Sequence, residues 1–283
     1  MKFFKKLFGI KTEEEKRIFQ EIKKLLIIKV EPFKAPALRL IKAKSESISK
    51  FGGKPIVDSM DFQWPKSNGK HLNFIGQIDL KDVAEKMDQD WLSSKGSLLF
   101  FFEASDFIEA SGDYRWKVIF QEDPKFHINC PDNSKDFLVS QEYFLEFRLS
   151  KVLPNIHHAS MESLKLSEDE EEVYYDICEK VNSSGFPSHQ MFGYPDTIQD
   201  AGVEFECQLN HDGITYKQFD EMNVEQVKAI ENKSKKWKLL LQIDNDDSFD
   251  FYFGDFGMLY FFVEEDKAKI NNFDDVQLVW QFT

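Results

Sequence analysis

The chain has 283 residues, 42% of them hydrophobic and 30% charged, with a formal net charge of −14. That length buries a sizeable core in one domain or two without staples, and no apolar run approaches the roughly 20 residues of a membrane span. Cys130, Cys178 and Cys207 are an odd, scattered set without CxxC spacing, which argues against a disulfide framework and predicts a reducing, cytoplasmic compartment.

Charge is divided unevenly along the chain. Residues 1–50 carry a net charge of +8 and the remainder −22. Such an acidic body repels nucleic acid and steers cationic partners, so a basic protein is the expected partner. Within residues 1–11, lysines interrupt Phe3, Phe4, Leu7 and Phe8 too often for the apolar core of a signal peptide. Docking on the acidic body, or peripheral contact with an anionic membrane, fits that leader.

Thr12-Glu13-Glu14-Glu15 forms a capping box, and Ile18, Ile22, Leu25 and Leu26 then recur at helical spacing, predicting a helix to about Lys29. Pro32 and Pro36 end it, and the polar stretch 42–50 marks a boundary. Residues 1–48 therefore read as a basic helical appendage to a domain over 49–283.

Beyond that boundary the pattern is mostly β. Leu145, Phe147 and Leu149 alternate with polar residues, as do Val203, Phe205, Cys207 and Leu209, and Val276, Leu278, Trp280 and Phe282. Each run predicts a half-buried antiparallel strand. The aromatic runs 100–102, 251–253 and 260–262 lack alternation and predict strands covered on both faces. Helices are expected from a cap at Asp79 to Met87, from Ser167 to about Gly185, and over 218–232. Strands with scattered helices and no regular alternation place the chain in the α+β class, built mainly on antiparallel sheet.

An internal repeat overlies this pattern. Phe74-Ile75-Gly76-Gln77-Ile78-Asp79-Leu80 returns as Leu240-Leu241-Gln242-Ile243-Asp244, and each copy precedes a glycine-led aromatic strand, at 96–102 and 257–263. Order and residue type both recur, which predicts two halves, about 49–150 and 185–283, related by duplication.

These residues carry a resemblance to a known family. Gly52-Gly53-Lys54-Pro55, Trp64-Pro65, the 74–80 motif and the 96–102 strand are joined by His189-Gln190, Gly193-Tyr194-Pro195 with Gln199, the 240–244 motif, Gly254-Asp255 and the 257–262 strand. In this order they resemble the YwqG-like proteins of bacteria over roughly residues 52–282. Asp58 stands where the family commonly has proline, and Phe253 where it has tryptophan. The resemblance implies a compact α+β fold with internal duplication and brings no catalytic residues to transfer.

Candidate chemistry rests on few residues. The repeated Gln-Ile-Asp sets Gln77 with Asp79, and Gln242 with Asp244, on one face of a strand end. They either frame a pseudo-symmetric ligand site or bond to buried backbone and cap turns. His189 and Tyr194 lie in a glycine-turn segment suited to ligand binding.

Asp244, Asp246, Ser248 and Asp255 occupy positions 1, 3, 5 and 12 of a calcium loop, but Phe249 replaces the glycine that such a loop needs. An EF-hand is excluded. A solvated turn, or a different calcium or divalent-metal site using Asp244, Asp246 and Asp255, stays open. His157 and His158 are adjacent and lack recognisable zinc partners. There is no phosphate-binding glycine loop, nucleophile elbow or His-Glu-x-x-His. The expected function is a non-catalytic binding protein with an acidic surface, of immunity or antitoxin type. The alternative is a small-ligand or metal-dependent enzyme with its site between the halves.

Overall fold

A computed structural model describes residues 12–104, 114–131, 141–182, 187–199 and 202–282. The leader 1–11, expected to dock on the body or to contact a membrane, lies outside them. From the N-terminus come helix α1 (Glu13–Val30), strands β1 (Ala35–Lys42), β2 (Lys50–Phe51), β3 (Ile56–Val57), β4 (Lys66–Ser67), β5 (Lys70–His71) and β6 (Asn73–Asp79), and helix α2 (Leu80–Lys86). Strands β7 (Ser97–Ala104), β8 (Tyr114–Gln121), β9 (Phe126–His127) and β10 (Tyr143–Val152) follow, then helix α3 (Glu168–Asn182) and strand β11 (Gln190–Met191). The last third holds helices α4 (Val203–His211), α5 (Tyr216–Asp220) and α6 (Val224–Ser234), strands β12 (Trp237–Asp244) and β13 (Met258–Glu264), helix α7 (Glu265–Ala268) and strand β14 (Gln277–Gln281).

Ten of the strands form one antiparallel sheet in the order β14-β13-β12-β11-β1-β10-β2-β6-β7-β8. The sheet curls so that its arms meet. Phe100 on β7 and Phe261 on β13 pack with ring centroids 5.2 Å apart, inside a core that draws on both arms. Side chains tie the edges: the indole of Trp116 on β8 donates to the Val276 carbonyl at 2.6 Å, and Lys117 pairs with Asp274 at 2.6 Å. Three smaller clusters cover the outer face, one of them beneath α4.

The sheet order is matched about the central β1–β10 pair, and the matching reaches single bonds. Gln77 accepts from the Ile56 amide at 2.8 Å, and Gln242 from the Asp196 amide at 2.8 Å. The Asp79 amide donates to Ser49 Oγ at 2.9 Å, and that of Asp244 to His189 Nδ1 at 3.2 Å. Gln121 and Gln281 accept from the amides of Asp58 and Ile198 at 2.8 and 3.2 Å. Gly52-Gly53 and Phe192-Gly193 both hold positive φ, between 64° and 70°, ahead of x-Pro. The two arms thus share single bonds as well as strand order.

Several expectations need correction. Residues 203–209 form helix α4 because Val203 and Cys207, one helical turn apart, are both fully buried against the outer face of β12–β14; a short alternating run satisfies that spacing as well as a strand's. Residues 251–253 are a looped segment held to the turn by an Asp246–Phe251 bridge and by the Phe253 amide on Asn245 Oδ1 at 2.7 Å; the rings of Phe251 and Phe253 enter the core and Tyr252 is exposed. The helix expected over 218–232 breaks into α5 and α6, since Asn223 starts a new capping box with Gln226. Residues 35–42, assigned to the appendage, are β1 at the centre of the sheet, paired along their length with β10.

α1 itself packs on α3 through Leu26 and Val30. Lys23 pairs with Asp176, and Lys29 with Glu170 at 3.3 Å, so this part of the basic segment docks on the acidic body. Among the described residues no helix is long and apolar enough to cross a membrane.

Candidate functional site

The repeated glutamines are buried clamps. Gln77, fully buried, donates to the Ile56 carbonyl at 3.0 Å and to Ser97 Oγ at 2.8 Å. Gln242, equally buried, donates to the Ser188 carbonyl at 2.7 Å. Each straps a β-bulged central strand to the segment crossing it. Asp79 caps α2 through the Lys81 amide at 3.0 Å. These residues hold the two halves' skeletons, on opposite arms of the sheet.

His189, Asp244 and Asp246 do come together, in the interior. The Asp244 amide donates to His189 Nδ1, so the ring proton sits on Nε2, facing Asp246 Oδ2 at 3.2 Å. Phe51, Phe249 and Phe251 surround the imidazole with edge-on contacts at 5.2–6.0 Å. Burial tends to raise Asp246, but bonds from His189 and Ser248 outweigh it and hold the carboxyl below its usual value. Burial raises Asp244, whose carboxylate accepts from the Ser188 amide at 2.8 Å.

Asp255 stands apart and exposed, bonded to Tyr252 at 3.1 Å. The three carboxylates of the candidate metal site are thus engaged separately. Among the described residues no group of three His, Cys, Asp or Glu side chains is placed to hold a metal ion.

Tyr194 leads to a different place. Gly193, at φ +68°, turns the chain where an added Cβ would lie 2.6 Å from Val152 Cγ2; glycine alone fits there. Gln190 then donates to the carbonyls of Phe192 and Tyr194 at 3.2 and 2.7 Å, fixing the turn. This turn forms one wall of a cleft of about 610 Å³ whose aromatic lining includes Trp91, Phe192, Tyr194, Phe205, Phe219 and Trp237. Pockets of this size, mostly apolar with a few convergent polar groups, are where small ligands bind.

Its polar lining includes His158 and Glu204, with the exposed Glu231 and Lys235. Nδ1 of His158 accepts from the Ser160 amide at 3.1 Å, so Nε2 carries the proton in the neutral ring and faces Glu204 Oε1 at 3.9 Å. The Tyr194 ring packs edge-on against this imidazole, centroids 4.8 Å apart. Burial raises the Glu204 carboxyl against the pull of His158. A partly desolvated acid beside an oriented imidazole is an arrangement able to accept, donate or share a proton with a bound molecule.

Neither His158 nor Glu204 stood among the sequence candidates. Adjacent histidines suggest zinc from sequence alone, and the strand-like alternation of 203–209 masks Glu204. Gly202 ahead of the Val203–Cys207 pair was the available signal for a helix opening there.

The family model described as "Domain of unknown function (DUF1963)" matches residues 49–281. The chain belongs to this family. The match starts after α1 and β1, so β1, which completes the centre of the sheet, lies outside the family's span while every strand of both arms lies inside it. That assignment agrees with the YwqG-like resemblance in extent. No curated protein matches the chain.

Proposed function

We propose that this DUF1963 protein binds a small organic ligand in the cleft between the 192–194 turn and helices α4 and α6. The observation that carries this reading is the Glu204–His158 pair set in an aromatic wall. Glu204 lines the cleft with His158 3.9 Å away, and a ligand bringing a hydrogen-bond donor would add a partner for its carboxyl while the apolar part lies on the rings. The same pair would serve a proton transfer if the ligand is also a substrate.

The test is thermal unfolding across a panel of aromatic amines, nucleosides and sugars, repeated on Glu204→Gln and Tyr194→Ala. At 100 times its dissociation constant a ligand adds about 2.7 kcal/mol. A midpoint rise in the native chain that shrinks in both variants is the expected result. A panel without effect, or hits indifferent to both substitutions, overturns the proposal.

Charge supports a second reading. Residues 51–283 carry −22, a field that accelerates encounter with a basic protein, as an immunity or antitoxin-like factor requires. Its mark would be capture of a cationic partner that weakens steeply with salt; salt-independent capture would refute it.

A further inference from the structure

A second depression, of about 440 Å³, opens where β11 ends after two residues and leaves the end of β1 uncovered beside Pro187 and Asp246. Its charge has the opposite sign to that of the chain. The β1–β10 register sets Arg39 directly opposite Arg148, and Lys42 lines the same depression. Like charges directly opposed on neighbouring strands repel, so this arrangement is unfavourable unless something negative lies against it.

Among the described residues, the carboxylates near these cations are already engaged or exposed. Asp246 on the wall is already bonded to His189 and Ser248. Glu146 reaches Arg148 at 3.3 Å, but the two side chains are 48% and 69% exposed, and such surface pairs contribute little. Asp196 attracts Arg39, whose guanidinium donates to Ser188 Oγ at 2.5 Å and to the Asn182 carbonyl. Arg39 Nε is nevertheless buried and without a hydrogen-bond partner among the described residues. Among the described residues Lys42 bonds a neutral acceptor, the Ser248 carbonyl, and lies over the Tyr143 and Phe249 rings.

The scaffold does not demand an arginine at position 39. In the matched half, the place of Arg39 opposite Gln190 is taken by Phe144 opposite Lys50.

We propose that this depression binds a small oxyanion, a phosphate or carboxylate group, between Arg39 and Arg148 with Lys42 at the rim. A guanidinium fork matches either group with two parallel charge-assisted hydrogen bonds, and an anion there would turn the Arg–Arg repulsion into attraction. The site is separate from the Glu204 cleft and does not depend on it.

The experiment is calorimetric titration of the full chain with inorganic phosphate, pyrophosphate and succinate at matched ionic strength. At least one is expected to bind one-to-one. Phosphate or pyrophosphate would identify a phosphoryl ligand, succinate a carboxylate. Arg148→Gln, at an exposed position that the fold does not need, should weaken that binding at least about tenfold, the loss expected for one charge-assisted hydrogen bond. Glu204→Gln should leave it unchanged. Without anion, Arg148→Gln should unfold at the same or a higher temperature than the native chain, since it removes repulsion. Absence of binding by all three anions, or equal binding by Arg148→Gln and Lys42→Gln, would overturn the assignment.

Discussion

Replacing Gln77 or Gln242 by methionine tests whether the repeated Gln-Ile-Asp is a clamp or a site. Methionine keeps the length of the side chain and packs adaptably, so little cavity forms, but no polar atom remains to bond. In Gln77→Met the amide and carbonyl of Ile56 lose their partner; in Gln242→Met the amide of Asp196 and the carbonyl of Ser188 do. Each buried group left unpaired costs about 1–3 kcal/mol, which gives a loss of about 2–6 kcal/mol for either variant. The serine hydroxyls, Ser97 and Ser188, can turn to other acceptors and add less. At about 2 °C per kcal/mol for a chain of this size, the thermal midpoint falls by about 4–12 °C. Urea unfolding followed by tryptophan fluorescence measures both losses, which the matched bonding predicts to be alike. A loss below about 1 kcal/mol in either variant would refute the clamp and return that glutamine to the list of ligand-binding candidates.

Other outcomes follow from single groups. Burial raises Glu204, so its ionisation favours the unfolded chain as pH rises above the ordinary carboxyl range; Glu204→Gln should stabilise by about 1 kcal/mol at pH 7 and lose that advantage near pH 4, as read from urea midpoints. Asp246 has the opposite sign: held below its usual value, it stabilises at neutral pH, and that contribution disappears as pH falls through the lowered value. Asp246→Asn should therefore be weaker at pH 7 by about 1.5–3 kcal/mol, with the gap closing towards pH 2. Gly193→Ala forces a side chain into positive φ and against Val152; a fall in midpoint of several degrees, with loss of any ligand bound beside Tyr194, is expected. Calcium should leave the midpoint unchanged, because Asp244, Asp246 and Asp255 are engaged separately; a rise reversed by chelator would contradict that.

The sequence revealed features set by local chemistry. Thr12 and Glu15 close the capping box that starts α1, Asp79 caps α2, and the aromatic runs of β7 and β13 are buried on both faces. It failed where a short pattern satisfies two periods. Val203 to Leu209 alternates as a strand should, yet what decides its form is the open outer face of β12–β14, which needs a cover and receives Val203 and Cys207 from a helix. The Glu204–His158 pair was hidden for the same reason, since its members are 46 positions apart in sequence and meet only once α4 exists. β1 escaped notice because prolines at 32 and 36 bracket its start; Pro36 sits in it as an exposed residue, and Leu38 and Leu40 supply the buried face.

The matched halves also show where this chain departs from the needs of its own fold. Bonds repeated on both arms, those of Gln77 and Gln242 or Gln121 and Gln281, belong to the scaffold. Where the arms differ, ionisable groups stand on both sides: the first has Lys50 and Asp58 where the second has Gln190 and Ile198, whereas the second has His189 and Asp196 where the first has Ser49 and Ile56, and β1 beside it has Arg39 where β10 has Phe144. The first arm folds with a hydroxyl and two apolar side chains at the last three places, so stability alone does not explain burying an imidazole, a carboxyl and a guanidinium in their stead. Buried charge costs free energy unless fully paired, and groups of this kind cluster where a protein binds or reacts. Both clefts border this altered arm. If function lies there, converting Asp196 to Ile and Arg39 to Phe together should yield a chain that still folds, as the first arm does with the same residues, but no longer takes up the anion. A double variant that binds phosphate or succinate like the native chain would show that the asymmetry has another cause.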